Sequence, residues 1–347
     1  MNVIRVFDFF SGCGGTSSGL GQAGMEIAMG LDIDPDSADS FRANFPRSTF
    51  LLGDIREMDA DVLSPLIGKR KSPLLFCGCA PCQPFSKQNR NQSAEDPRRD
   101  LLGEFSRFVE RWLPEYVFIE NVPGMQKVNG KSGPFHKFNQ LLSRLGYSFA
   151  SQVVPAMSFG VPQTRKRLVL LARLNGPISI PPATHGPSGK PYTTVRDAIG
   201  HLPPILAGGT HPSDMHHQSA ELSELNLLRI AHTPEGGGRE SWPEGLKLDC
   251  HRTHSGHSDV YGRLAWDKMA SGLTTRCISY SNGRFGHPEQ NRALSVRETA
   301  LLQTFPDNYL FAGNLASRAR QIGNAVPPAM SLAVGKHFLK EVRKRKA

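Results

Sequence analysis

The order of segments predicts an open α/β sheet accompanied by a second, smaller and irregular domain. Three observations carry that expectation. Short apolar runs recur at residues 3–10, 26–33, 74–79, 116–120 and 167–173, of the kind buried in a parallel sheet. Helix-like stretches lie between them, and the texture changes abruptly after Arg173. Sheets of this class hold their ligands at the carboxyl ends of the strands.

The chain has 347 residues, 39% of them hydrophobic, which suits a globular protein long enough for two domains. Lys and Arg number 41 against 31 Asp and Glu, a formal net charge of +10. That excess favours a polyanionic partner, although solubilising charge alone would look the same. No apolar run approaches the roughly 20 residues of a membrane helix. Residues 1–7 lack the basic-then-apolar pattern of a signal peptide, so a cytoplasmic protein with no membrane partner is expected. Six scattered cysteines read as reduced thiols rather than a disulfide framework.

The clearest helix spans 133–145, with Phe135, Phe138, Leu141, Leu142 and Leu145 on one face and Gly146 as its stop. After Arg173, Pro177, Pro181, Pro182, Pro187 and Pro191 break the pattern, and most of the 12 histidines follow before residue 288. Trp242 and Trp266 suggest that this region packs a small core of its own. Ser295 and Glu298 have capping-box spacing ahead of an apolar helix through Leu302. A last helix over 328–342 leads into a basic tail that reads as a solvated terminus.

The first strand runs into Ser11-Gly12-Cys13-Gly14-Gly15-Thr16-Ser17-Ser18-Gly19. Glycines there let a backbone approach a ligand closely, although a tight strand-to-helix turn needs the same residues. Ser17 stands where a strict dinucleotide pattern has glycine, and no Gly-Lys-Ser/Thr follows, which disfavours nicotinamide and NTP readings. Asp32, after the second strand, suits a ribose diol. Asp54, after a third, suits an adenine amino group. An adenosine-containing cofactor follows.

Cys82, in Ala80-Pro81-Cys82-Gln83, comes just after the strand 74–79, at the ligand-binding edge. A zinc reading of Cys77, Cys79 and Cys82 fails because Cys77 and Cys79 share one strand face and no second pair completes a tetrahedron. A nucleophile is the better reading, with the polar stretch 83–99 covering the site. Glu120 ends another strand and should face the same crevice. Arg165 and Arg167 alternate onto one side, where they hold phosphate or orient Glu120. The run from Cys250 to His257 carries zinc-ligand types without paired spacing, so no metal is expected.

These segments, in this order, resemble the DNA cytosine-5 methyltransferases. The resemblance runs through Phe10 to Gly15, Pro81-Cys82-Gln83, Glu120-Asn121-Val122, and Gln163-x-Arg165-x-Arg167. It continues through Arg297-Glu298, Gln303-x-Phe305-Pro306-Asp307, and Gly323-Asn324-Ala325-Val326-Pro327-Pro328. It spans nearly the whole chain, with the family's variable target-recognition region falling at about 177–290.

The resemblance implies a Rossmann-like, S-adenosylmethionine-dependent methyltransferase sheet over residues 1–175 and an irregular target-recognition domain over 176–293. Residues 294–347 then return to complete the catalytic domain. It implies S-adenosylmethionine as cofactor, held by Phe10, Gly12, Gly15, Asp32, Ile33, Asp54, Ile55, Pro81, Leu101, Asn324 and Ala325. Asp32 stands where the family usually carries glutamate. Cys82 becomes the nucleophile at cytosine carbon 6, with Glu120, Arg165 and Arg167 as its catalytic partners. DNA contacts fall to Gln83, Ser86, Thr274 and Arg276. Arg239, Lys247, Arg252, Arg263 and Arg284 could also read bases or phosphates. The expected partner is double-stranded DNA, the expected companion a separately encoded cognate restriction endonuclease, and the expected state a monomer. A tRNA-methylating branch sharing this catalytic set is the nearest alternative. A catalytically silent DNA-binding module and a Rossmann oxidoreductase are more distant ones.

Overall fold

The computed structural model describes residues 3–80, 101–127, 130, 133–249 and 259–344. By their contacts, Met1–Phe159, Lys166–Thr184 and Val326–Ala347 form one compact unit. Gly160–Arg165 and His185–Ala325 form a second. Residues 294–325 therefore cluster with the second unit. Among the described residues no helix is long and apolar enough to cross a membrane.

The first unit is built on a seven-stranded sheet ordered β3-β2-β1-β4-β5-β7-β6. Its strands are β1 (Arg5–Phe9), β2 (Glu26–Asp32), β3 (Thr49–Leu52), β4 (Leu74–Gly78), β5 (Tyr116–Asn121), β6 (Tyr147–Pro155) and β7 (Lys166–Leu174). The five expected apolar runs all form strands. β4 and β5 are buried at every position, which is why their sequences lack polar alternation.

Two features depart from expectation. β7 runs antiparallel to both β5 and β6, so the sheet is mixed rather than parallel. The link from Pro155 to Lys166 holds only a short turn of helix at Ala156–Phe159, without the crossover helix that a parallel return requires. β6 itself was not expected. It pairs with β7 alone at the sheet edge and mixes exposed with buried positions, so it carries no continuous apolar run.

Strand order reverses between β1 and β4, which creates a crevice at their carboxyl ends. Helices α1 (Gly15–Gln22), α2 (Pro35–Asn44), the short α3 (Ser64–Ile67), α4 (Leu101–Trp112), α5 (Pro134–Arg144) and the C-terminal Pro328–Lys344 belong to this unit. Phe9 anchors the core, its ring centroid 5.3 Å from Phe76, 5.1 Å from Phe105 and 5.0 Å from Phe108. Phe105 and Phe108 come from the apolar face of α4, so this helix is fastened directly under the crevice.

The second unit has little regular structure: α6 (Val195–Ile199), a hairpin of β8 (Thr210–His211) and β9 (Asp214–Gln218), α7 (Glu224–Ala231), α8 (Val296–Leu302) and α9 (Leu315–Asn324). Trp242, Ile230, Tyr280 and Ala293 form a small core. Trp242 Nε1 donates to Thr233 Oγ1 at 2.8 Å, giving its polar edge a partner. Trp266 is only half-buried and stands edge-on to His287. Ser295 and Glu298 form the expected capping box on α8. Glu298 also holds the fully buried Arg292 through two contacts of 2.7 Å.

Candidate active site

The chain turns sharply after β1. Phe10 and Gly12 have φ of 55° and 52°, and Gly14 caps α1 at φ 95° in the left-handed region. A Cβ added at Gly12 would meet nothing within 4 Å, so the loop backbone faces open space at that point. Gly12 N–H donates to Asp32 Oδ2 at 2.8 Å and Asp34 N–H to Oδ1 at 3.0 Å. The carboxylate at the end of β2 is thereby locked to the glycine loop. Burial raises the Asp32 pKa, and the two backbone donors oppose that shift.

Ile33 is an exposed large apolar side chain beside this loop, at 62% exposure. Asp54 lies just beyond β3 and pairs with Arg56, whose guanidinium holds the Asp54 carboxyl below the usual carboxylate range. Ile55 and Leu101 are buried in the core cluster, with Phe10 packed against it. Gly15 opens α1. Phe10, Gly12, Gly15, Asp32, Ile33, Asp54 and Ile55 thus follow the carboxyl ends of β1, β2 and β3, while Leu101 opens α4. Pro81, Cys82, Gln83, Ser86 and the expected covering stretch lie outside the described residues.

A hydrogen bond beneath the loop went unnoticed in the sequence. Ser17 Oγ donates to Asp8 Oδ2 at 2.7 Å, joining the first turn of α1 to β1. Burial pushes the Asp8 carboxyl up to about 7 despite that donor.

On the other side of the strand-order reversal, Glu120 near the end of β5 is 3% exposed. Arg167 Nε lies 2.7 Å from Glu120 Oε1. The guanidinium therefore stands directly against Oε1. Cys79 Sγ donates to Oε2 at 3.0 Å. Burial raises the Glu120 pKa, while Arg167 and the Cys79 thiol pull it down. Next to it, Asn121 Nδ2 donates to the Ala80 carbonyl at 2.9 Å, and Asn121 Oδ1 accepts from Val122 N–H at 2.9 Å. Asn121 therefore fixes the backbone that leads into Pro81 and Cys82. A buried asparagine ending an apolar strand was the signal available for it. Cys77 stays within β4, where burial raises its thiol pKa.

Of the two motif arginines, Arg167 meets Glu120. Arg165 belongs to the second unit, where Nη1 donates to the carbonyls of Leu273 and Gly323 at 3.2 Å each. Its Nε is buried without a hydrogen-bond partner among the described residues. Gln163 is fully buried, with Nε2 on Leu302 O and Gln303 Oε1 and its own Oε1 accepting from Leu273 N–H. Gln303 in turn donates to the carbonyl of Ala325, which follows Asn324 at the end of α9. A Cβ at Gly323 would fall 2.1 Å from the Thr274 carbonyl oxygen, so only glycine lets these two segments meet.

Arg276 is exposed and donates to Asn282 Oδ1 at 3.3 Å. It borders a cleft of about 470 Å³ together with Glu221, Asn226, Ser279, Tyr280 and Asn282. Arg263 and Arg284 both make several contacts within the second unit. Arg263 is 4% exposed and donates to the carbonyls of Thr233, Ile230, His287 and Gln290. Arg284 is engaged by Asp259 and the carbonyls of Gly236 and Gly237. Arg252 and the Cys250–His257 cluster lie outside the described residues. Among the described residues, no group of three His, Cys, Asp or Glu side chains could hold a metal ion.

The family model of C-5 cytosine-specific DNA methylases matches residues 4–340. The type II methylase M.HgiDII of Herpetosiphon aurantiacus is 42% identical over 352 residues, covering 99% of this chain and 98% of that one. The type II methyltransferase M1.HphI of Haemophilus parahaemolyticus is 36% identical, covering 97% and 87%. Among solved structures, a prophage-encoded candidate DNA modification methyltransferase (E. coli) superposes with a TM-score of 0.78 at 24% identity, covering 98% and 99%, a likeness of fold. The chain belongs to the C-5 cytosine-specific DNA methylase family.

Proposed function

We propose that the chain carries out its family's reaction, methylation of cytosine carbon 5 in DNA, with Cys82 as nucleophile and Glu120 as the group that holds a proton at ring N3. The observation that carries this reading is Glu120 itself: a carboxyl 3% exposed at the crevice edge, raised in pKa by burial and fixed by Arg167 and Cys79. A buried carboxyl whose pKa is raised is suited to donating a proton where charge develops.

Carbon 5 of cytosine is a weak nucleophile. Addition of the Cys82 thiolate at carbon 6, with Glu120 protonating or hydrogen-bonding N3, converts the ring to an enamine nucleophilic at carbon 5. After methyl transfer, a base such as water takes the carbon 5 proton, the Cys82 thiolate leaves from carbon 6, and any proton on N3 returns to Glu120, restoring the aromatic ring. Arg167 orients Glu120. The buried Nε of Arg165, without a hydrogen-bond partner among the described residues, supports a role in holding a polar group of the substrate. Since carbons 5 and 6 lie within a base stack, the cytosine must leave the duplex to react.

The cofactor cradle fits S-adenosylmethionine. The open space over Gly12, the loop-locked carboxylate of Asp32 and the exposed face of Ile33 supply a backbone approach, a ribose acceptor and an apolar cover. Gly15, Asp54, Ile55, Phe10 and Leu101 complete or support it from this unit; Pro81, Asn324 and Ala325 are added by resemblance. When bound, the cofactor supplies an electrophilic methyl group on a sulfonium. Thr274 and Arg276, with Gln83 and Ser86, are proposed to contact DNA, and a cognate endonuclease is the proposed companion. The full-length relatives named above favour DNA over tRNA. Incubation with labelled S-adenosylmethionine and either duplex DNA or tRNA tests the reading. Label should enter carbon 5 of DNA cytosine, and incorporation into tRNA alone would overturn it.

A further inference from the structure

Among the described residues two side chains grip the Glu120 carboxyl, and the family motifs account for one of them, Arg167. The other is Cys79, half-buried, one residue beyond β4. β4 and β5 pair in parallel with Cys77 opposite Phe118 and Gly78 opposite Ile119. Continuing that register by one step brings position 79 beside position 120, and the thiol meets Oε2 at 3.0 Å. The contact is therefore built by strand register.

We propose that Cys79 is a positioning residue for methyl transfer, its thiol fixing the Glu120 carboxyl through Oε2 while Arg167 holds Oε1. The proposal rests on the reading of Glu120 as the proton-holding group at cytosine N3. A carboxyl on a glutamate stem turns over a broad torsional range unless something holds it. Cys79 fixes the carboxyl from the Oε2 side, as Arg167 fixes it from the Oε1 side. It also affects the pH at which the proton is held. Among the described residues, the groups facing Glu120 are Cys79 from the end of β4 and Arg167 from β7, and both favour the ionised form against burial. Removing the thiol donor should let the carboxyl keep its proton to higher pH.

The test is single-turnover methyl transfer to duplex DNA from labelled S-adenosylmethionine across about pH 6 to 9, where such groups titrate. The parent is compared with Cys79→Ala, Cys79→Val and Cys79→Ser. Alanine and valine remove the donor, valine with little change of volume, and serine keeps one. The donor-less variants should lose about three- to tenfold in rate, and their alkaline limb should move up by about half a pH unit to one unit. Serine should restore both. An unmoved limb in the donor-less variants, or serine behaving as alanine does, overturns the proposal in favour of packing. Glu120→Gln separates the two layers. If it keeps the parent rate, the reading of Glu120 fails. If it is severely slowed while the Cys79 limb stays fixed, only the role of Cys79 fails.

Discussion

Arg167 Nε lies 2.7 Å from Glu120 Oε1, and the two side chains are only 13% and 4% exposed. A carboxyl so buried tends toward its neutral form, and the guanidinium keeps the ionised form accessible. Burial and the guanidinium thus act on the Glu120 pKa in opposite directions. Arg167→Ala should cost on the order of 3 kcal/mol of stability, because it leaves a buried carboxyl without its counter-charge. Denaturant unfolding of the two proteins at pH 8 measures this, and a change within experimental error would mean that Glu120 is not charged in the folded parent.

Glu120→Gln preserves shape and removes the proton. It should slow single-turnover methylation by about 10²- to 10⁴-fold, the usual range for loss of a general acid. S-adenosylmethionine affinity, measured by calorimetry, should stay near the parent value. An unchanged rate would reassign Glu120 to structure.

Cys82→Ala should abolish methyl transfer while leaving cofactor binding nearly intact, since no covalent addition at carbon 6 can occur without the thiolate. Equal transfer by variant and parent, followed by radiolabel incorporation, would remove Cys82 from the mechanism.

Asp8 supplies a pH signature in stability. Its carboxyl is pushed up to about 7 by burial, so the folded chain holds a proton that the unfolded chain releases near the ordinary carboxylate range. Stability from this group is greatest at low pH and declines as pH rises toward 7. Asp8→Asn retains an acceptor for Ser17 Oγ and removes the ionisation. It should be more stable than the parent by on the order of 2 kcal/mol at pH 8, with the gap narrowing toward pH 5. Parallel stability curves for the two proteins would show that Asp8 does not titrate in this window.

Gly19→Ala tests the packing of α1 on the C-terminal helix. Alanine would normally stabilise a helix by up to about 1 kcal/mol. Here its Cβ would fall 2.1 Å from Pro328 O and 2.7 Å from Leu332 N, both backbone atoms. Destabilisation of roughly 1–3 kcal/mol is expected instead. A raised unfolding midpoint would show that the helices separate easily.

What the sequence determined by itself was the set of strands buried on both faces and the residues at their carboxyl ends. Burial on both faces appears as an unbroken apolar run, as in β4 and β5, and a left-handed turn after β1 calls for glycine at positions 12 and 14. Glu120, Asp32 and the glycine loop were legible for that reason, and the ordered motifs added the family. Tertiary structure decided the rest. β6 is an edge strand with mixed exposure, and the direction of β7 depends on the link that precedes it. Arg263 and Arg276 are the same residue type in the same polar stretch, yet one braces four carbonyls and the other faces solvent. Nothing local to either arginine separates them, because their partners come from elsewhere in the chain. The thiol of Cys79 reaches Glu120 for a similar reason. Their adjacency is a property of strand register, and register is set by the whole sheet packing at once.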